Sequence, residues 1–420
     1  MAEVHWFPSV AQVPERWWDD DAAVPIDRRR RFRRFRDVVE GEHTFVLSVG
    51  SPGDPVITCG HVSSPASGLF SDPWKLWSSD QFLRLDGVAP DEAAAITAHR
   101  DALLARLTGG DAGVVAGGAG VLHERLGGAL VVRGLDSSEV LHAGGAPASS
   151  TEAATTLREL QRRASDSDLG VAFPYVDRAD AGLLAALSET GFGLGSVTAT
   201  NIFDLPPRDS FDDLLGPLPG RVRYRFRKEW KDFHAQGLTL EELGMEEHVH
   251  DVVALETGNR VKHGGTADQQ RLIGVRLAMA RLLGGNLRVK GVRDDRGELI
   301  ACSIDLVDAD RHLGMVFGQH ETRSSELVYP TLVYAWPLRQ AVAAGATQVR
   351  MGFEAFAPKT LRGSRLERRV FAFWHPRPAV RAAAGELLSL LDERLSRGVL
   401  DGARTTESAG RHWSFAGAKA

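Results

Sequence analysis

The chain predicts two α/β (α+β) domains in tandem, each a mixed twisted sheet flanked by helices. Three observations lead there. Its 420 residues exceed what one core of ordinary size organises. Apolar-alternating runs read as strands and are followed by helix-period segments, in the order β-α-β-α-β through the first half. A proline-rich break, LPPRDSFDDLLGPLPG, then interrupts the pattern. The expected domains are residues 1–207 and 208–400, with 401–420 a loosely ordered tail.

In the first half, Trp6, Trp17 and Trp18 can pin an irregular N-terminus to the body. Phe32, Phe35, Val38 and Val39 keep a helical spacing through RRRRFRRFR. HTFVLSVG and DPVITCGHVSS read as strands about the turn SPGD, residues 61–90 as loop, and 91–108 as a helix stopped by Gly109 and Gly110. GGDAGVVAGGAGVLHERLGG matches neither phosphate-loop nor dinucleotide spacing and reads as a structural loop. Then come strand GALVVRGLD, helix TEAATTLRELQRRA, strand GVAFPYVD, helix ADAGLLAALSETG and strand SVTATNIFDL.

The second half opens with RVRYRFRKEWK, whose Val222, Phe226, Trp230 and Phe233 fit one helix face. Strand LTLEEL, two helices about the loop VKHGGT, the hairpin NLRVKGVRD/ELIACSIDLVDAD and strand HLGMVFGQH follow. A long helix then starts at Ser324 or Ser325, carries Pro330 in its first turn and Pro337 inside the pattern, where it should kink the helix or cost a hydrogen bond, and stops at Gly345. Residues 348–353 form a short strand, RRVFAFWHP another, and 377–396 a last helix.

Composition is that of a soluble globular protein, 43% apolar and 25% charged. Cys59 and Cys302 are too far apart in sequence to read as a disulfide framework or zinc site, and no histidine pair has metal-ligand spacing. With no signal-peptide core and no membrane-length run, a cytoplasmic protein without membrane insertion is expected. The net charge of −5 is unevenly spread: residues 28–36 carry seven Arg, and 221–231 four Arg and two Lys against Glu229. Both segments interleave cations with aromatics, the pattern of an anion-binding surface or of solvated helix faces. Lys is scarce beside Arg, 7 against 43, so some of the excess is compositional bias.

Two helices, a three-strand meander, a long helix, a strand and a polar loop resemble the GCN5-related acyltransferase (GNAT) fold, with the first half a degenerate second copy. Tandem copies are similar to the Fem-like aminoacyltransferases and their actinobacterial peptidoglycan-biosynthesis-like relatives, most specifically from Val328 to Arg362, ending in MGFEAFAPKTLRG. CoA-dependent members carry a glycine-rich pyrophosphate turn before the long helix. GQHETRSSELVYP has no glycine after Gly318. The resemblance therefore implies an amide-forming acyltransferase that takes aminoacyl-tRNA as co-substrate and a small-molecule, natural-product or cell-wall amine as acceptor, with no bound cofactor. An acyl-CoA donor, or a non-catalytic RNA- or cell-wall-binding protein, are the alternatives.

For chemistry, Glu354 follows the last apolar residue of a strand and is the candidate general base, with Lys359 and Tyr334 as catalytic partners. Arg362, Tyr329, His320, Glu326 and His263 are substrate-binding candidates. The candidates for tRNA are Arg29, Arg30, Arg31, Arg33 and Arg34, then Arg221, Arg223, Arg225, Arg227, Lys228 and Lys231. Cys302 reads as core, so no covalent nucleophile is expected.

Overall fold

The computed structural model describes residues 3–18, 24–51, 53–110, 113–135, 137–262, 268–308, 310–321, 325–353 and 355–401. Glu354, His263, Ser324 and the expected tail lie outside the described residues. Two compact units divide the chain: unit 1 runs to Ala199 and resumes at Glu367, and unit 2 is Thr200–Leu366. The boundary expected at 207/208 therefore falls earlier, within a strand. The last strand and helix, expected in the second domain, belong to the first.

Unit 1 runs β1 (Glu3–Phe7), α1 (Arg30–Glu40), β2 (Thr44–Ser51), β3 (Asp54–Val62), α2 (Pro73–Ser78), α3 (Pro90–Leu107), α4 (Gly113–Leu126), β4 (Ala129–Val132), β5 (Leu141–His142), α5 (Ser150–Asp166), β6 (Gly170–Asp177), α6 (Ala181–Glu189) and β7 (Gly193–Asp204). β1 to β4 pair antiparallel in succession, and β6 joins β4 in parallel. α5 starts at a reciprocal cap between Ser149 and Glu152, and buries Ala153, Leu157, Leu160 and Ala164 along one face. The glycine-rich segment expected as loop is instead α4, interrupted at Gly118 (φ 56°). Leu122 and Leu126 are fully buried beside Trp74 and Leu103, so apolar contact outweighs the poor helix propensity of glycine. Trp74 and Trp77 likewise turn part of the expected loop 61–90 into core.

Unit 2 takes residues 200–204 of β7, then α7 (Phe211–Leu215), α8 (Gly220–Ala235), β8 (Thr239–Glu242), α9 (Met245–Lys262), α10 (Gln269–Leu283), β9 (Leu287–Arg293), β10 (Leu299–Val307), β11 (Arg311–Gln319), α11 (Val328–Pro330), α12 (Trp336–Ala343), β12 (Gln348–Phe353) and α13 (Phe356–Thr360). β8 to β11 pair antiparallel, β12 joins β11 in parallel, and β7 joins β12 antiparallel. A π-helical turn, Thr331–Ala335, links α11 to α12 just before Pro337. The wider turn absorbs the amide that proline cannot offer, where a kink or a lost hydrogen bond is expected. On one face, α8 and α12 bury Phe226, Leu338 and Ala341 against Phe203, Val349 and Met351. On the other lies α9, so close that a Cβ on Gly318 would stand 2.6 Å from the Glu256 backbone nitrogen.

β13 (Arg365–Trp374), from Glu367 onward, and α14 (Pro378–Leu395) return to unit 1. β13 pairs antiparallel with β6, and α14 buries Leu387, Leu388 and Leu391 in the core with Leu103 and Leu107 of α3.

Candidate active site

In unit 2 the parallel ladder between β11 and β12 is three residues long: Arg311, His312 and Leu313 face Gln348, Val349 and Arg350. Beyond it the strands part. β11 continues to Gln319 along β10, after a bulge where Ile304 faces Val316 and Asp305 faces Gly314. β12 bends instead, with Gly352 at φ +66°, and its last residue pairs with Thr200 of β7. A fork results, with a glycine on each arm at its apex. A Cβ on Gly314 would lie 3.7 Å from the Arg350 carbonyl, and one on Gly352 3.8 Å from the Gly314 carbonyl. Side chains at either position would stand beside the opposite strand, and the left-handed φ of Gly352 itself favours glycine.

Aromatic and cationic groups bridge the two arms on the α12 side. Phe317 meets Tyr329 edge-on at 4.9 Å between centroids, and Tyr329 meets Tyr334 at 5.6 Å. The Arg362 guanidinium lies 4.5 Å from the Tyr334 ring centre. Arg362 donates to Glu229 Oε1 of α8 at 2.7 Å and to the Pro358 carbonyl at 3.0 Å. Tyr334 is fully buried, and burial raises its phenol pKa, with Tyr329 adding to the effect. It is a neutral floor for the fork. On the α9 side Asn259 Nδ2 donates to the Phe317 carbonyl at 3.2 Å. Neighbouring Glu256 loses solvation by burial, yet Arg276 and Arg260 hold its pKa below the usual carboxylate range, so it stays an anion rather than a base.

Lys359, expected to meet substrate, is 4% exposed and donates to the Met351 carbonyl at 2.7 Å and the Phe353 carbonyl at 3.4 Å. His320 and Glu326 are exposed beyond the end of β11. Cys302 is buried, its thiol pushed up to about 12 by desolvation, with its sulfur 3.8 Å from the Val252 carbonyl. It is no nucleophile. Sequence reasoning missed Asn201, Glu229, Glu256 and Asn259. Glu229 carried a signal, as the one acid inside a run of cations.

The two arginine-rich segments behave oppositely. Arg29 donates to the Val24 carbonyl at 2.6 Å, Arg30 to Glu15 at 3.1 Å and the Val13 carbonyl at 3.0 Å, and Arg33 to the Arg133 carbonyl at 3.1 Å; all three residues are buried. Arg31 is half-buried and Arg34 exposed. This segment ties the N-terminal chain to unit 1 and is no exposed basic face, which corrects the expected tRNA role for Arg29, Arg30 and Arg33. On α8, Arg223 caps the Gly216 and Leu218 carbonyls at 3.0 and 2.6 Å, and Arg227 pairs with Asp212 at 2.9 Å. Arg225 is half-buried. Arg221, Lys228 and Lys231 lie on one exposed face around Tyr224, itself 65% exposed, with Lys228 paired to Asp232 one turn on. Asp232 above all raises the Lys228 pKa, and Tyr224 and Glu326 add to it.

A cleft of about 530 Å³ lined by Leu205, Pro207, Arg208, Asp213, Gly345 and Thr347 lies at the opposite end of β12. None of the fork residues lines it. Among the described residues no helix is long and apolar enough to cross a membrane.

No protein-family model matches the chain, and no curated protein matches it. Solved structures do. L-PGS from Bacillus licheniformis is 13% identical over 56% of this chain and 78% of its own, with a TM-score of 0.41. FemX is 13% identical over 52% of this chain and 76% of its own, at 0.40. A GCN5-related N-acetyltransferase from Kribbella flavida is 14% identical over 60% of this chain and 82% of its own, at 0.33. GCN5-related acetyltransferases and FemX, the families the sequence resembles, are thus among the chain's structural neighbours. At these identities and TM-scores the likeness carries no chemistry, which the fork has to supply.

Proposed function

We propose that unit 2 is an amide-forming acyltransferase that moves an aminoacyl group from aminoacyl-tRNA to the amine of a small acceptor. The observation that carries this reading is the fork: a strand arm, Met315 to Gln319, that leaves β12 and offers its backbone edge to a reacting carbonyl. In the transfer the neutral amine attacks the ester carbon, and the oxyanion is met by strand-edge N–H groups. The C–O bond then breaks, and the amine proton passes to the departing ribose oxygen. The protein need supply no nucleophile, in keeping with the inert Cys302. Glu354, next after β12, is the base we assign to take that proton from the amine and hand it to the ribose oxygen.

What supports an RNA-borne donor is the outward face of α8. Arg221, Lys228 and Lys231 can neutralise phosphates while exposed Tyr224 offers a stacking surface to an unpaired base. Arg29, Arg30 and Arg33 take no part. A tRNA donor also assigns the reaction to the cytoplasm. Incubation with charged tRNA and a panel of amines, before and after ribonuclease digestion, tests the reading. Transfer should require intact tRNA; transfer that survives digestion and runs with an acyl-CoA would replace this donor by that one.

A further inference from the structure

The end of β12 is held by side chains as well as by its pairing to β7. Its last three carbonyls each accept from a buried donor: Met351 and Phe353 from Lys359 Nζ at 2.7 and 3.4 Å, and Gly352 from Asn201 Nδ2 at 3.4 Å. Asn201 is fully buried on β7, and its Oδ1 accepts from Ser364 at 3.3 Å. The backbone there takes two left-handed turns, Gly352 at φ +66° and Ala355, a residue with a side chain, at φ +49°. Such a conformation persists only where its surroundings impose it.

We infer that Asn201 and Lys359 are positioning residues that keep the fork open. A buried carbonyl must find a donor, and in a parallel ladder that donor is a neighbouring strand's amide. The register of β12 against β7 slips between Arg350 and Phe353, and the Met351 and Phe353 carbonyls there meet Lys359 in place of a regular ladder. With the Lys359 ammonium satisfying both, β12 has no need of β11 past Arg350, and the strands diverge.

Asn201→Asp keeps the side-chain shape but places an acceptor against the Gly352 carbonyl, and Lys359→Met keeps length without donors. Hydrogen–deuterium exchange over residues 348–362 should accelerate about tenfold or more in each variant while α14 is unchanged. With charged tRNA and acceptor, kcat should fall about 30-fold or more with KM within about threefold, because binding is spared and alignment lost. Both act on one strand end, so the double variant should cost no more than the worse single one. If Asn201→Asp does not fold, Asn201→Ser reads the same quantities. Unchanged exchange, or kcat within about twofold of the parent in both variants, overturns the inference. The kinetic arm rests on the proposed transfer; if the parent transfers nothing with any donor, that proposal falls and exchange alone decides this one.

Discussion

Both units contain an antiparallel meander, a helix and a strand that returns in parallel, yet they finish the parallel pair differently. In unit 1, Ala129 to Val131 of β4 pair with Gly170 to Ala172 of β6, as three residues of β11 pair with three of β12 in unit 2. Past that point unit 1 closes. Tyr175 donates its backbone N–H to Ser138 Oγ at 3.1 Å and accepts from the Ser138 N–H at 3.0 Å, so both its backbone groups are taken. Arg133 lies 5.3 Å from the Tyr175 ring centre, and Arg33 holds the Arg133 carbonyl. Unit 2 instead satisfies its diverging strand from Asn201 and Lys359 and leaves glycines at the apex. One unit uses its polar groups to fill the fork, the other to keep it clear. The arginine segments follow suit: buried ties in unit 1, an exposed stripe in unit 2.

The largest expected effect comes from removing what unit 1 borrows from the chain's end. Truncation after Leu366 deletes Phe371, Phe373, Leu387 and Leu391 from its core and strips β6 of an antiparallel partner. Four such side chains exceed the whole stability of a typical domain, roughly 5–15 kcal/mol, so unit 1 should lose cooperative unfolding by calorimetry.

Next is the bridge across the open fork. Arg362→Ala leaves Glu229 without its partner and Tyr334 without its cover. Stability should fall by about 2–3 kcal/mol in urea titrations and kcat by about 10². The equivalent loss in unit 1, Arg133→Ala, should lower stability without touching kcat.

Acid should weaken both units. Burial lowers the pKa of His312 in unit 2 to about 4, with Lys290 and Arg288 adding to it, and burial also lowers His375 in unit 1 to about 4. Above the unfolded value of about 6.5 neither state is protonated and nothing is lost; below it only the unfolded chain binds the proton. Stability should therefore drop as pH falls from about 6.5 to about 4, by about 3 kcal/mol for each histidine. His312→Phe should flatten that slope for unit 2, read from urea midpoints against pH.

Smallest are the charges. Lys228→Glu with Lys231→Glu should leave folding intact and reduce the salt slope of tRNA binding by about two. Arg30→Ala should destabilise unit 1 and leave the slope alone, because that side chain already serves Glu15 and the Val13 carbonyl.

Element order was legible because apolar period is local: α5, the β9–β10 hairpin and the helical phase of α8 all stand where the pattern predicts. What was not legible depends on partners far away in sequence. β13 looks the same whether it joins Gln348–Phe353 or β6; only long-range pairing decides. α4 is helical because α2 and α3 offer it a surface, which no glycine count reveals. Arg29 and Arg221 are alike as letters, and differ by whether a backbone carbonyl waits within reach. Lys359 is expected to meet substrate from its place in the polar loop after β12; its ammonium turns back onto that strand instead. Asn201 sits in SVTATNIFD among buried apolar residues, and an amide in such company was the overlooked signal.

The central claim is that the open fork of unit 2, and not the closed one of unit 1, is where transfer occurs. Gly314→Val tests it most directly. The Gly314 Cβ position meets only ordinary contacts, 3.7 Å to the Arg350 carbonyl and 3.9 Å to both Asp305 Oδ1 and Met351 Cα, and its φ is unstrained, so a side chain can be added at the apex. Beside it, Ser138→Ala releases the closure of unit 1. The account predicts that Gly314→Val lowers kcat/KM for aminoacyl transfer by about 100-fold or more at an unchanged melting temperature, while Ser138→Ala stays within about twofold. Full activity in Gly314→Val would contradict it.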